Sequence, residues 1–196
     1  MRRFLSLAFA CLVAFPGVLP AQQLNIAVGG STLYSFKPTT ASLAFPPPAE
    51  KGGVYPDASV EYLFANRLGF SVEGAYRYKT GLYNDFQTFR PVLYDLNAVW
   101  APRITPKITG DFMAGVGGQT LIFYDEFAPC AFSGCTLHLN STHFAIHAAA
   151  ELRYYVWRNF FVRPEAHYYI VPNNYQFHSD HVFRIGASIG HTWGDR

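Results

Sequence analysis

Charge is scarce in this 196-residue chain: 14% of its residues are Asp, Glu, Lys or Arg, against about a quarter in an average soluble domain. With 50% hydrophobic and 17% aromatic residues, so low a charge excludes a disordered chain and argues against a helical soluble enzyme rich in Glu and Lys. Long hydrophobic runs are also missing. Beyond the first twenty-one residues nothing approaches the ~18 uninterrupted apolar residues of a membrane-spanning helix. Nor is there a surplus of either sign, since setting aside Arg2 and Arg3 leaves thirteen basic against thirteen acidic residues. A neutral chain without a basic stripe has no footprint for nucleic acid. Cysteine is limited to three residues, none in a Cys-x-x-Cys pair. A chain this apolar must hide its apolar surface in a soluble β-sandwich or a membrane β-barrel.

What is present begins with Met1 to about Ala21, where two arginines precede an apolar run from Phe4 to Phe15 and a Pro/Gly/Ala segment. That is the layout of a secretory signal peptide, and the expected organisation is a cleavable leader over 1–21 and one domain over 22–196. Export places Cys130 and Cys135, in the stretch Cys-Ala-Phe-Ser-Gly-Cys, in an oxidising compartment where a local disulfide is the expected state.

From Leu24 onward the chain alternates with period two, as strands with two unlike faces do. Eight runs are expected, at about 23–36, 55–65, 67–79, 89–100, 108–123, 142–156, 159–170 and 182–193. The second, fourth and sixth links between them are short and the others long, which is the arrangement of turns and loops in an outer-membrane barrel. One face of every run is free of Asp, Glu, Lys and Arg, as in Val92, Tyr94, Leu96, Ala98 and Trp100 or Phe144, Ile146, Ala148, Ala150 and Leu152. The other face holds Asp57, Glu61, Glu73, Arg77, Lys79, Asp95, Asp111, Glu151, Arg153, Arg163, Glu165 and Arg184.

Three features favour the barrel over the sandwich. Aromatics gather at both ends of the runs: Tyr62, Phe64, Trp100, Tyr154, Trp157, Phe160 and Trp193 near the short turns, and Tyr34, Phe36, Tyr76, Tyr78 and Tyr168 near the long loops. They would form two interfacial girdles. The runs exceed the ~5–6 residues of soluble strands. An even strand count leaves both chain ends on the periplasmic side. On this alternation, and on the run Phe161-Val162-Arg163-Pro164-Glu165-Ala166 followed by Tyr168 and Tyr169, the chain resembles the small eight-stranded outer-membrane barrels of the OmpA/OmpX-like group over Leu24 to Trp193. Members of that group usually end on an aromatic residue read by the barrel assembly machinery, whereas here Trp193 is followed by Gly-Asp-Arg.

The expected fold is therefore all-β, a closed antiparallel up-and-down transmembrane barrel of eight strands. It would be a monomer in the outer membrane, in contact with lipid and lipopolysaccharide and with the assembly machinery during insertion. Eight strands leave an interior just wide enough to be filled by side chains, and inward charges there are costly unless paired. Glu73, Arg77, Asp95, Asp111, Glu151, Arg153, Arg163, Glu165 and Arg184 are the candidate polar network, with His147 and His167 as further partners. A packed plug is expected, with a narrow solute conduit as the alternative.

Ser141, His143, His178, Ser179, Asp180 and His181 fall near the loop ends of their strands, where a Ser/His pair could act on lipid A acyl chains. Their spacing matches no such enzyme, and the expectation is no catalytic activity, no cofactor and no metal, His138, His143, His178 and His181 having no carboxylate or Cys at fixed spacing. The role expected is structural in the envelope, or recognition of an extracellular ligand by the loops. The loop from Lys37 to Val54 carries Phe45-Pro46-Pro47-Pro48, and Asp125 to Asn140 carries Phe127, Phe132 and Leu137.

Overall fold

A strand whose side chains alternate between apolar and charged has to present its two faces to different media, and eight such strands satisfy both media by closing on themselves. The computed structural model describes residues 22–35, 50–64, 67–83, 87–124, 138–174, 176–177 and 179–194. The leader over 1–21 and the Cys130/Cys135 pair lie outside the described residues.

The strands are β1 (Gln23–Ser35), β2 (Tyr55–Leu63), β3 (Leu68–Tyr76), β4 (Gly81–Tyr83), β5 (Gln87–Trp100), β6 (Arg103–Thr105), β7 (Ile108–Tyr124), β8 (His138–Trp157), β9 (Phe160–Ile170) and β10 (His181–Gly194). Eight of them form the ring β1-β2-β3-β5-β7-β8-β9-β10, every neighbour pair antiparallel. The ring closes where β1 meets β10, in unbroken register from Gln23↔Gly194 to Ser35↔Val182. With that closure no barrel strand is left with an unpaired edge.

The two remaining strands mark where the sequence expectation departs from the structure. The run expected over 67–79 breaks after Tyr76, and the chain rejoins β5 as β4, pairing Gly81–Tyr83 with Gln87–Phe89. Arg77 and Lys79, placed on the inner face by alternation, fall in this break: Lys79 is exposed and Arg77 is half-buried at the loop end. The fourth link is not a bare turn but carries β6, paired to the base of β7. β8 begins at His138 instead of near 142, because the ladder continues to Tyr124↔His138. Above the apolar zone backbone pairing alone carries the hairpin, with no demand for apolar side chains.

The outer wall is apolar, with Val28, Phe70, Val72, Leu96, Phe144, Ile185 and Ile189 all exposed. Aromatics ring it at both ends. Trp100, Phe112, Tyr154, Trp157, Phe160 and Trp193 are exposed near the short turns, and Tyr34, Tyr76, Tyr78 and Tyr94 towards the loops. Stacked and tilted pairs such as Trp157 on Phe160 and Trp100 on Phe112 tie this lower belt together. Side chains that are polar at one end and apolar at the other settle at such interfaces.

Two inward glycines of β7 set the spacing of that wall. Gly115 and Gly117 pair with Asn97 and Asp95 of β5, and a Cβ on Gly117 would come 2.8 Å from the Asp95 Cα. Their lack of a side chain lets β5 lean in and deliver Asp95 and Asn97 into the lumen.

Candidate functional site

Among the described residues the lumen gathers most of the buried charge, and it is organised around three arginines that each bridge two carboxylates. Period-two alternation puts Arg153, Glu61 and Asp111 on the inner faces of β8, β2 and β7. Arg153 Nη2 lies 2.6 Å from Glu61 Oε1 and 2.6 Å from Asp111 Oδ2, and its Nε donates to the same Asp111 oxygen at 3.1 Å. Asn25 donates to Glu61 at 2.6 Å and Thr192 to Asn25 at 2.7 Å, so this tier spans the β1/β10 seam.

Arg163 of β9 forms the second tier, with Nη1 2.9 Å from Glu151 Oε2 and Nη2 3.4 Å from Glu165 Oε2. Its remaining donors meet Ser188 at 3.0 Å and Ser59 at 2.9 Å. Arg184 of β10 forms the third, in a close ion pair with Glu73 and 3.6 Å from Asp57. All three guanidiniums are buried. A charge taken out of water is tolerated only when paired and hydrogen-bonded in this way.

Beside these tiers lies a chain of hydrogen-bonded polar groups that ends on the Asp95 carboxylate. Tyr169 donates to Asp95 at 2.9 Å, the Asn97 amide donates to Asp95 at 2.6 Å, His147 Nδ1 sits 2.7 Å from Asn97 Oδ1, and His147 Nε2 sits 3.2 Å from His167 Nδ1. The rings of His147, His167 and Tyr169 stack.

Apolar layers bound this polar interior. Leu33, Tyr55, Ala75, Leu93, Ala145, Tyr169, Val171 and Val182 form one towards the long loops, and Phe89, Leu121 and Phe177, with Tyr83 and Phe123 against them, form a second beyond it. Leu63, Val99, Ala101, Met113 and Ala149 form another, in which Leu63, Val99 and Ala101 stand at the short-turn ends of their strands while Met113 and Ala149 lie on the loop side of Asp111 and Arg153.

Of the nine residues the sequence nominated, Asp111 and Arg153 meet in one tier, Glu151, Arg163 and Glu165 in the next, and Glu73 and Arg184 in the third; Asp95 joins the histidine chain. Arg77 does not join them. It stands at the mouth, its guanidinium 5.5 Å over the Phe89 ring, because the strand that would have carried it inward has ended. Asp57 and Glu61 belong to the tiers and were already legible as inward residues on β2. Glu50 was missed. It sits in the first long loop, fully buried, accepting from Gln119 Nε2 at 2.7 Å while its backbone carbonyl accepts from Ser35. Burial pushes its carboxyl from 4.5 up to about 7, against the opposing pull of the Gln119 hydrogen bond and of Arg77. Nothing in a period-two reading marks a loop carboxyl as buried.

The residues considered for catalysis are only partly gathered. Ser141 Oγ and His143 Nε2 are 3.0 Å apart, and Gln176 donates to the same Ser141 oxygen at 2.8 Å. His181 instead binds and stacks on Tyr168, Asp180 is exposed, and His178 lies outside the described residues. Among the described residues no carboxylate is hydrogen-bonded to His143.

A closed ring of eight antiparallel strands, apolar and aromatic-belted outside and charged within, is the fold of the small outer-membrane barrels. No family model matches the chain, and no curated protein matches it. Solved structures do. The attachment invasion locus protein Ail of Yersinia pestis, solved in complex with the heparin analogue sucrose octasulfate, is similar over 88% of this chain and 99% of its own, with a TM-score of 0.60 at 14% identity. The N-terminal β-barrel domain of Pseudomonas aeruginosa OprF is similar over 89% of this chain and 98% of its own, at 0.58 and 12%. Neisserial surface protein A matches over 87% and 96%, at 0.59 and 11%.

Proposed function

We propose that the chain is a monomeric integral barrel of the bacterial outer membrane, inserted by the barrel assembly machinery, which acts through its loop end and not as a conduit or an enzyme. The observation that carries this reading is the filled lumen: ion-paired side chains occupy it, and apolar layers lie beyond them towards the long loops. A hydrated ion would have to lose its water to pass Leu33, Leu93 and Val182.

The ligand class follows from charge at the loop end. Lys51, Arg77, Lys79 and Arg90 all stand at that end: Lys51 bridges to Tyr34, Tyr78 N donates to Val54 O at 2.8 Å, and Arg90 donates to the carbonyl of Tyr78. Four cations beside the outer leaflet suit an acidic glycan or the phosphates of lipopolysaccharide, and Ail, of the same fold, was crystallised with a sulfated sugar. The Ser141/His143 pair supports no lipid-modifying activity, because it lies on the inward side of β8.

Conductance of the refolded chain in a planar bilayer tests the reading. Silence from a folded, heat-modifiable barrel is expected. Stable discrete steps scaling with salt would overturn it in favour of a narrow pore. Retention on immobilised heparin, lost on Lys51→Glu with Lys79→Glu, tests the ligand class, and equal retention of parent and variant would refute it.

A further inference from the structure

We propose that Glu73, Glu151 and His167, with Glu165 beside them, form a binding site for a divalent first-row transition ion in the middle of the lumen, where the sequence alone gave no expectation of a metal. Asn97 fixes where the protons lie. Its Nδ2 faces the carboxylate of Asp95 at 2.6 Å, and a carboxylate only accepts, so the amide nitrogen is fixed there and Oδ1 faces His147. His147 Nδ1, 2.7 Å from that oxygen, must therefore carry a proton. With the imidazole neutral, its Nε2 accepts from His167 Nδ1 at 3.2 Å. The chain of donors leaves a lone pair on His167 Nε2.

That lone pair is aimed at acids. His167 Nε2 is buried without a hydrogen-bond partner, as are Glu151 Oε1 and Glu165 Oε1. It stands 3.6 Å from Glu151 Oε1, 3.8 Å from Glu73 Oε1 and 3.8 Å from Glu165 Oε1. These separations are too long for hydrogen bonds. They are close to the ~3.4 Å between neighbouring ligand atoms around a tetrahedral ion with bonds of about 2.0–2.1 Å. Ligand atoms of Glu73, Glu151 and His167 all lie within 4.8 Å of one another.

Charge points the same way. Asp57, Glu73, Glu151 and Glu165 face Arg163 and Arg184 alone among the fixed cations paired with them. With all four acids ionised, four carboxylates against two guanidiniums leave two negative charges buried, which one divalent ion neutralises. A protonated His167 would neutralise one. One imidazole with several carboxylates, in a site closed to water, suits Zn²⁺ and its neighbours better than Ca²⁺, which takes six to eight oxygens. His167 is held as a metal-bound histidine usually is, its other nitrogen donating to a fixed acceptor.

Because the lumen is sealed, the ion would enter while the barrel folds. The test refolds the full chain into detergent micelles with Zn²⁺ or Co²⁺, removes excess metal by gel filtration in chelator, and measures retained metal. About one ion per chain is expected, with Co²⁺ giving the intense visible bands of a four-coordinate site. His167→Gln should lose the ion, while Asp111→Asn, in the tier of Arg153, should keep it. A folded, heat-modifiable parent that retains neither Zn²⁺ nor Co²⁺ overturns the proposal and leaves an imidazolium as the counter-ion. Equal retention by a folded His167→Gln overturns it too, in favour of the exposed loop histidines. Should His167→Gln fail to fold, the parent's metal content and Co²⁺ spectrum decide.

Discussion

Replacing Arg153 by methionine should be strongly destabilising. The guanidinium serves Glu61 and Asp111 at 2.6 Å each, all three side chains being at most 1% exposed, and it also lies 5.2 Å over the Phe161 ring. Methionine fills the volume of the stem and leaves two carboxylates facing each other without a cation. Breaking one buried pair costs about 3–5 kcal/mol, and because two acids lose their partner here the upper end of that range is expected. The cost comes from the stranded acids, so the triple replacement Arg153→Met, Glu61→Gln and Asp111→Asn should recover most of it, Asn25 still donating to position 61. Urea unfolding in phospholipid vesicles reads both, with Trp100, Trp157 and Trp193 of the lipid-facing belt as the fluorescence probe. A loss below about 1 kcal/mol for the single variant, or no recovery in the triple, would refute the reasoning.

Other tiers and the loop end give further expectations. Glu151→Ala with Glu165→Ala removes both acids from Arg163 and should lower the thermal transition in detergent; an unchanged transition sinks the idea of a cohesive network. Glu50 should make docking of the first loop pH-dependent. Its docked carboxyl, raised from 4.5 to about 7, keeps its proton where the undocked one has lost it, so docking is strongest below 4.5 and weakens as pH climbs to 7. The full cost, on the order of 3 kcal/mol, is reached above that. Hydrogen exchange at the Ser35 and Gly52 amides, corrected for intrinsic rate, should quicken between about pH 4.5 and about pH 7 and level off above that, and Glu50→Gln should flatten the change; a parent as flat as the variant would contradict it. Gly117→Val pushes a branched side chain into the backbone of β5 near Asp95 and should destabilise by about 1–3 kcal/mol, detectable as a lower urea midpoint.

The strands were legible because lipid and lumen impose opposite demands at every second residue, and a period of two survives any local propensity. Thus Leu96, Ala98 and Trp100 could be assigned to lipid, and Asp95 and Asn97 to the lumen, without coordinates. What alternation could not supply is anything that depends on who stands across the barrel. Arg153 reaches Glu61, and Arg184 reaches Glu73, over some hundred residues of chain, and no spacing in the sequence encodes those distances. Arg77 was misplaced because alternation assumes an unbroken strand, and the chain leaves the barrel wall at that residue. Glu50 escaped because burial in a loop is decided by the groups above and beside it, Gln119 and Tyr55, and not by its neighbours in sequence.

The pairs across the lumen also bear on how the ring closes in one register. β1 and β10 carry Gly, Ala, Ser and Thr along much of their seam, at Gly29↔Ser188, Gly30↔Ala187 and Ser31↔Gly186, and such small residues specify a register weakly on their own. Sliding β10 by one residue would turn Arg184 towards lipid and Ile185 into the lumen. An arginine facing lipid costs about 2–4 kcal/mol at the bilayer midplane and less towards the interface, where Arg184 lies, so the larger penalty is that Glu73 and Asp57 would be stranded in the lumen. Thr192, hydrogen-bonded to Asn25 and to the Tyr155 hydroxyl, makes a second such demand near the short-turn end of the same seam. With charged or polar partners fixed near both ends of β10, a slipped closure is penalised at two points, so the buried network supplies the specificity that the small-residue seam lacks.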